Sequence, residues 1–324
     1  MTDRATSPVL LTGGAGFIGS HACEALLAAG RRVRCFDNYA TGKRDNIAHL
    51  LGSDGFELVE GDLRDARTVA AAMQGCAQVV HLGALGSVPR SIADPLASEA
   101  ANLTGFLHVL EAARHLGVDK VVFASSSSVY GDSPVLPKRE GAEGAPLSPY
   151  AVTKAMDEVY AALYGRLFGV RTIGLRFFNV FGERQDPSGP YAAVIPRFIL
   201  ALLRGERPVV HGDGRQTRDF TYVANAVQAV VAGLDCSDPG AVGRVFNIAL
   251  GRSTELRDVL AHIQQRLAQR VPSIADIVPE HGPDRPGDVR ASLADITLAR
   301  QVLRYEPKVD LWQGLDRTID AYAG

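Results

Sequence analysis

Cysteine is scarce in this 324-residue chain, and Cys23, Cys35, Cys76 and Cys236 lie far apart, with no Cys-x-x-Cys pair and no histidines at ligand spacing. That pattern excludes a disulfide-stapled scaffold and a structural zinc site, and it predicts reduced core thiols and no metal. An excess of either charge is also missing. Lys and Arg number 34 against 36 Asp and Glu, a net charge of -2, so no global basic field exists to recruit nucleic acid or an anionic membrane surface. No apolar run reaches the roughly 18 residues that a bilayer crossing needs. The polar residues 1–7 lead straight into an apolar strand pattern, so neither a signal peptide nor a membrane span is expected, and the expected compartment is the cytoplasm.

What is present suits a packed enzyme. The chain is 46% hydrophobic and 22% charged with 33 glycines, which excludes a disordered chain and predicts one large α/β unit or two closely joined domains. Short apolar runs at 9–12, 33–37, 56–60, 79–82 and 121–124 alternate with helical patterns, among them one at about 95–116. Such alternation predicts an α/β fold, a Rossmann-type doubly wound parallel sheet, with a smaller C-terminal substrate-binding α/β domain. Polar, turn-rich breaks at 182–190 and 212–219 divide the chain into 1–180, the nucleotide-binding part, and 181–324, the substrate part. A further buried strand at 245–249 suggests that the first domain regains chain from about 215–250.

Between the first strand and the first helix stands Gly13-Gly14-Ala15-Gly16-Phe17-Ile18-Gly19, which satisfies G-x-x-G-x-x-G and G-x-G-x-x-G together. Glycines there allow a tight turn and let a pyrophosphate approach a helix N-terminus, where unpaired N–H groups and the helix dipole favour anions. Asp37 ends the second strand, eighteen residues past Gly19. An acid at that place accepts hydrogen bonds from an adenosine ribose and repels a 2′-phosphate, which favours NAD over NADP. Capping of the Asp37-Asn38 turn is the competing role, and Arg34, Lys43 and Arg44 leave a basic element nearby.

Strand 121–124 delivers the chain to Ser125-Ser126-Ser127-Ser128, at the carboxyl end of a central strand where ligands collect in open α/β sheets. After the proline-rich loop 133–149, Ser148 and Pro149 open a long helix as N-cap and first-turn proline. It carries Tyr150 and Lys154 as Y-x-x-x-K. At 100° per residue Tyr150, Lys154 and Asp157 share one face, while Val152, Ala155, Met156, Val159 and Leu163 form an apolar face expected to pack. An ammonium beside a phenol stabilises the phenolate, lowering its pKa from about 10 toward working pH, so Tyr150 reads as a general base. A serine hydroxyl in the same network can hold the substrate oxygen.

With these stand Gly61-Asp62-Leu63, His81-Leu82-Gly83-Ala84-Leu85-Gly86-Ser87-Val88-Pro89-Arg90-Ser91, Leu175-Arg176-Phe177-Phe178-Asn179-Val180-Phe181-Gly182, Tyr191-Ala192-Ala193-Val194-Ile195-Pro196, Arg218-Asp219-Phe220 and Arg285-Pro286-Gly287-Asp288-Val289. Over essentially its whole length the chain resembles an extended short-chain dehydrogenase/reductase of the UDP-sugar 4-epimerase kind. The G-S-V-P-R-S and S-P-Y-A-V-T-K runs are closest to the bacterial UDP-N-acetylglucosamine 4-epimerases of O-antigen lipopolysaccharide synthesis. The resemblance implies C4 epimerisation of a UDP-hexose, most simply UDP-GlcNAc to UDP-GalNAc, with tightly bound NAD and a transient 4-keto sugar. It implies Ser126, Tyr150 and Lys154 as the catalytic set. Gly13, Gly16, Phe17, Ile18, Gly19, Asp37, Asn38, Asp62, Leu63, Leu82, Ala84, Asn102, Ser125 and Phe177, with Tyr150 and Lys154, would hold NAD. Ser87, Val88, Ser126, Asn179, Ala193, Val194, Arg218, Arg285, Asp288 and Ser292 would hold the UDP-sugar. Arginine suits a pyrophosphate because its planar fork donates two parallel bonds.

Ser292 matches the position where a bulky aromatic excludes an N-acetyl group in this family; a serine leaves room, although it equally suits a helix N-cap before Leu293. Gly83 departs from the family's usual alanine. Ser126, Ser127 and Ser128 stand where 4,6-dehydratases carry Thr-Asp-Glu and UDP-glucuronate decarboxylases a glutamate, so both are disfavoured. A 4-epimerase of a UDP-N-acetylhexosaminuronic acid is a nearer rival, with Arg90 and Arg197 as candidates for the carboxylate. A non-catalytic NAD-sensing protein would have lost Tyr150, Lys154 or the arginines, and none is missing. Helices 95–116 and 149–168 match the pair that builds a four-helix bundle between subunits, so a homodimer is expected.

Overall fold

The structure, a computed structural model, describes residues 7–187, 192–283 and 290–324. The N-terminal half runs β1 (Val9–Thr12), α1 (Phe17–Ala28), β2 (Val33–Asp37), β3 (Phe56–Glu60), α2 (Ala66–Met73), β4 (Gln78–His81), α3 (Val88–Ala93), α4 (Pro95–Glu99), α5 (Gly105–Leu116), β5 (Lys120–Ser126), α6 (Pro149–Phe168) and β6 (Thr172–Phe177). The remainder adds β7 (Val180–Phe181), α7 (Val194–Leu203), β8 (Val209–His211), β9 (Thr217–Arg218), β10 (Thr221–Tyr222), α8 (Val223–Asp235), β11 (Arg244–Ile248), β12 (Thr254–Glu255), α9 (Leu256–Ala268), β13 (Glu280–Gly282), α10 (Thr297–Leu303) and α11 (Leu311–Ala323).

Seven strands form one sheet in the order β3-β2-β1-β4-β5-β6-β11, and every adjacent pair is parallel. Strands β1, β4 and β6 are buried along their whole length, as a sheet covered by helices on both faces requires. The expected Rossmann-type sheet is therefore present, and its strand order reverses between β1 and β4, the place where such sheets bind ligands. Strand β11 returns from the C-terminal half to pair with β6, and α8 packs against α1 on the way. Short pairs β7 with β10, β9 with β12 and β8 with β13 organise the rest, where α7, α9 and α11 pack together.

Two expectations change. The helix expected over 95–116 is broken into α4 and α5 by a π-helical segment, Ala100–Thr104. On α6 the expected faces are exchanged: Lys154 is 2% and Asp157 0% exposed, whereas Val159 of the apolar stripe is 56% exposed, with Val152 and Met156 also in solvent. The inward face tolerates charge because its charged groups pair with each other and with the end of β5. Among the described residues nothing covers Val152, Met156 and Val159 of the apolar stripe. Ser148 caps α6 as expected, its hydroxyl accepting from the Ala151 amide at 3.1 Å, with Pro149 in the first turn.

Candidate active site

A cleft of about 800 Å³ opens over the carboxyl ends of β1, β2, β4 and β5. At one end lies the glycine loop. Gly13 takes φ +72°, and a Cβ there would stand 2.6 Å from the Gly83 amide; one on Gly19 would collide with the Gly13 carbonyl oxygen. Side chains would therefore fill the cradle at the N-terminus of α1. Asp37 is buried beside it and accepts from the Ala15 amide at 2.9 Å and the Tyr39 amide at 2.8 Å. Burial pushes its carboxyl up while those amides pull it back. The acid thus does pin the turn, and a carboxylate has lone pairs left for a ribose hydroxyl.

The basic residues nearby are engaged. Arg34 points away from the cleft, donating to Glu57 at 2.8 Å and to the Ala72 and Gln74 carbonyls. Arg44 stacks on Tyr39 and pairs with Glu60, and Lys43 pairs with Asp186 at 3.0 Å. Asn38 donates to Asp62 at 2.9 Å, and Asp62 is held well below the ordinary carboxylate range by Arg64. This end of the cleft has an acid placed for a ribose.

At the other end Ser125, Ser126, Tyr150, Lys154 and Phe177 line the wall. Strand β5 and its serine run supply one side and the first turns of α6 the other. Ser126 caps the turn after β5, its Oγ accepting from the Ser128 amide at 3.1 Å. Ser125 donates its hydroxyl to Glu158, which also receives two bonds from the buried Arg176. Lys154 Nζ donates to the Ala124 carbonyl and to Asp157, each at 3.0 Å. Burial opposes the lysine's charge, but Asp157 and then Tyr150 raise its pKa above the ordinary lysine value.

Gly13, Gly16, Phe17, Ile18, Gly19, Asp37, Asn38, Asp62, Leu63, Leu82, Ala84, Ser87 and Ala193 also line this cleft. Asn102 does not. It sits fully buried in the π segment, accepts from the Leu85 amide at 2.7 Å and donates to the Leu85 carbonyl and to Thr153. It secures the wall loop rather than forming the wall. Ser87 holds φ +102° as the N-cap of α3, a strained backbone of the kind that persists at ligand sites.

Val88, Asn179, Val194, Arg218 and Ser292 lie outside the cleft lining, and Arg285 and Asp288 lie outside the described residues. Arg218 and Ser292 are nonetheless brought together. Thr217 bridges Ala291, and the Ser292 amide donates to the Thr217 carbonyl at 3.1 Å. Buried Asp219 binds the strip, accepting from the Leu250, Gly251 and Ala294 amides at 3.1 Å each, and burial pushes its carboxyl up to about 6. Ser292 is not a helix N-cap, since α10 begins only at Thr297. Tyr39, Lys43, Gln185 and Asp186 line the cleft without having been expected to, and Arg90 lines it while Arg197 does not. Gln185 and Asp186 fall in the turn-rich break after β7, whose composition marks a loop but not where it folds.

Residues 9–249 match the model of the NAD dependent epimerase/dehydratase family, and the chain belongs to that family. It is 38% identical over 315 residues to a UDP-glucose 4-epimerase of Mycolicibacterium smegmatis, covering 97% of each chain. Among solved structures, it superposes with a TM-score of 0.91 on a UDP-N-acetylglucosamine 4-epimerase from Methanobrevibacter ruminantium in complex with UDP-N-acetylmuramic acid, at 37% identity over 100% of this chain and 99% of that one. A UDP-glucuronic acid 4-epimerase from Bacillus cereus, in complex with UDP-glucuronic acid and NAD, gives a TM-score of 0.89 at 31% identity over 98% of this chain and 99% of that one. The cofactor is NAD, and the glycine cradle with Asp37 fits it.

Proposed function

We propose that this UDP-sugar 4-epimerase interconverts UDP-GlcNAc and UDP-GalNAc. The observation that carries the substrate is the sugar end of the cleft, where Gly86, Ser87, Ser126, Ala192 and Ala193 are small and leave room for an N-acetyl group on C2. The glycine cradle would hold the NAD pyrophosphate, Asp37 its adenosine ribose, Asp62 and Leu63 its adenine, and Lys154 its nicotinamide ribose. Held there, NAD would supply a hydride acceptor and donor at sugar C4, which would make the 4-keto sugar transient and leave no net oxidation. Tyr150 removes the proton of the sugar 4-hydroxyl and Ser126 holds that oxygen, with the Lys154 ammonium in the same cleft wall. Arg218 and Arg285 would clamp the UDP pyrophosphate, Asp288 would bind the uridine ribose, and Ser292, beside Arg218, would leave the N-acetyl group unhindered.

The enzyme would then work in the cytoplasm, supplying N-acetylhexosamine for a surface polysaccharide of the O-antigen kind, as a homodimer through α6 and the α4–α5 segment. A UDP-N-acetylhexosaminuronic acid is the second reading, favoured by Arg90 in the cleft wall. Proton NMR of the anomeric region, with UDP-GlcNAc, UDP-glucose and UDP-N-acetylglucosaminuronic acid in parallel and no added NAD, tests both. Approach to a GlcNAc/GalNAc mixture is expected; turnover confined to the uronic acid would move the substrate and keep the mechanism.

A further inference from the structure

Lys154 occupies a costly place for a charge. It is almost fully buried, and its ammonium donates to the Ala124 carbonyl, a neutral acceptor. Burial disfavours an ammonium unless an opposite charge stands against it. Glu158, on the same helix, is already shared between Ser125 and Arg176, the latter donating from Nε at 2.8 Å and Nη2 at 2.7 Å. From β4 comes His81, whose Nδ1 lies 2.8 Å from the Thr12 hydroxyl and whose Nε2 is buried without a partner. Burial and the Lys154 charge drive that imidazole down to about 3, so it is neutral and supplies no counter-charge. Among the described residues the carboxylate left to face it is Asp157, whose charge, ahead of that of Tyr150, raises the lysine's pKa.

We infer that Asp157 is a positioning residue for the reacting pair: its buried carboxylate keeps the Lys154 ammonium charged and seated against Ala124, on the floor of the cleft that Lys154 and Tyr150 line. The two stand three residues apart on α6, 3.0 Å from Asp157 Oδ2 to Nζ, and Asp157 itself does not line the cleft. Its second oxygen, Oδ1, is buried with no hydrogen-bond partner among the described residues. A side chain that served only to fill space would avoid that cost, since an unsatisfied buried acceptor destabilises a fold. Burial pushes the Asp157 carboxyl up to about 6 although the Lys154 charge resists. With two of three ammonium donors taken, one is left for the cleft. The inference rests on the reading of Tyr150 and Lys154 as the reacting pair.

The chain has only five lysines, Lys43, Lys120, Lys138, Lys154 and Lys308, so carbon-13 labelling of lysine gives a spectrum in which Lys154 is assigned by Lys154→Arg. In the NAD-loaded wild type Lys154 stays charged through pH 10. Asp157→Asn lowers its half-titration by at least about one unit, a tenfold change in proton affinity, and kcat gains an alkaline limb at the same pH while KM for the UDP-sugar holds. Asp157→Glu restores both. A Lys154 signal unchanged by Asp157→Asn, or a kcat loss equal at every pH, overturns the inference. Should Asp157→Asn fail to fold, Asp157→Ser decides by the same readout through a smaller neutral side chain: a Lys154 half-titration lowered by about one unit or more is expected, and one equal to the wild type's overturns the pairing. Loss of the lysine charge without loss of turnover would instead overturn the role given to Lys154.

Discussion

Tyr150→Phe removes one oxygen from the cleft wall and leaves the α6 backbone bonds in place, together with the bond that the Thr153 hydroxyl donates to the Tyr150 carbonyl at 2.9 Å. The variant is therefore expected to fold and to keep NAD, measured by absorbance after release from denatured protein, while turnover falls by about 10²–10⁴-fold, the usual worth of a positioned acid–base group. Unchanged turnover would remove the tyrosine from the mechanism. Gly19→Ala acts through the cradle. Its new Cβ would meet the Gly13 carbonyl, a backbone atom that cannot swing aside, so a loss of about 1–3 kcal/mol of stability is expected together with loss of bound NAD; a stable, NAD-loaded variant would contradict the close packing of the loop. Both were legible in the sequence from local pattern, Gly19 from its spacing to the glycines between β1 and α1, and Tyr150 from its place in the first turn after the Ser148-Pro149 helix start. The direction of Arg34 was not, because it depends on Glu57 from β3 and on the carbonyls after α2. Gly83 belongs with it: a Cβ there would stand 2.7 Å from Leu63 Cδ1, a contact made across 20 residues of chain.

Elements were read more easily than their interruptions. The sheet strands announce themselves as apolar runs between turn signals, whereas the π segment at Ala100–Thr104 leaves no mark on a helical periodicity. Its cause is tertiary: Asn102 turns inward to serve both the amide and the carbonyl of Leu85, and an extra backbone residue in the turn accommodates that reach. Asn102→Ala would leave Leu85 groups without their partner in a part-buried place, a cost of about 1–3 kcal/mol. Faster hydrogen exchange across residues 82–87 and weaker NAD retention are expected, with Tyr150 untouched; exchange identical to wild type would show that the loop holds itself. The faces of α6 failed for a related reason. A helical wheel separates apolar from polar residues, but it cannot say that the polar side is the buried one when a lysine, an aspartate and a strand-end carbonyl satisfy one another.

At the scale of the molecule, the uncovered side of α6 has a consequence for assembly. Val152, Met156, Val159 and Leu167 follow one another along the helix, and Ile92 of α3 and Leu96 of α4, the latter 79% exposed, add to the apolar surface that the chain leaves in water. Exposed apolar side chains grouped on one face are what an interface between subunits would cover, and α6 packs against α3 and α4 within the chain, which sets these residues on neighbouring elements. A second copy applying the same face across a two-fold axis would cover it with its own α6, giving the four-helix arrangement proposed above. Light scattering behind gel filtration should therefore read twice the chain mass at micromolar protein. Met156→Lys with Val159→Lys places two ammonium groups in the middle of the face, where pairing about a two-fold sets like charges together, and should yield monomer. Tyr150 and Lys154 lie on the opposite side of the same helix, so the monomer should still carry NAD and retain a measurable fraction of its turnover, with a lower melting temperature as the main loss. A wild type that runs as monomer at that concentration, or a double variant that stays dimeric, would send the apolar stripe in search of another partner.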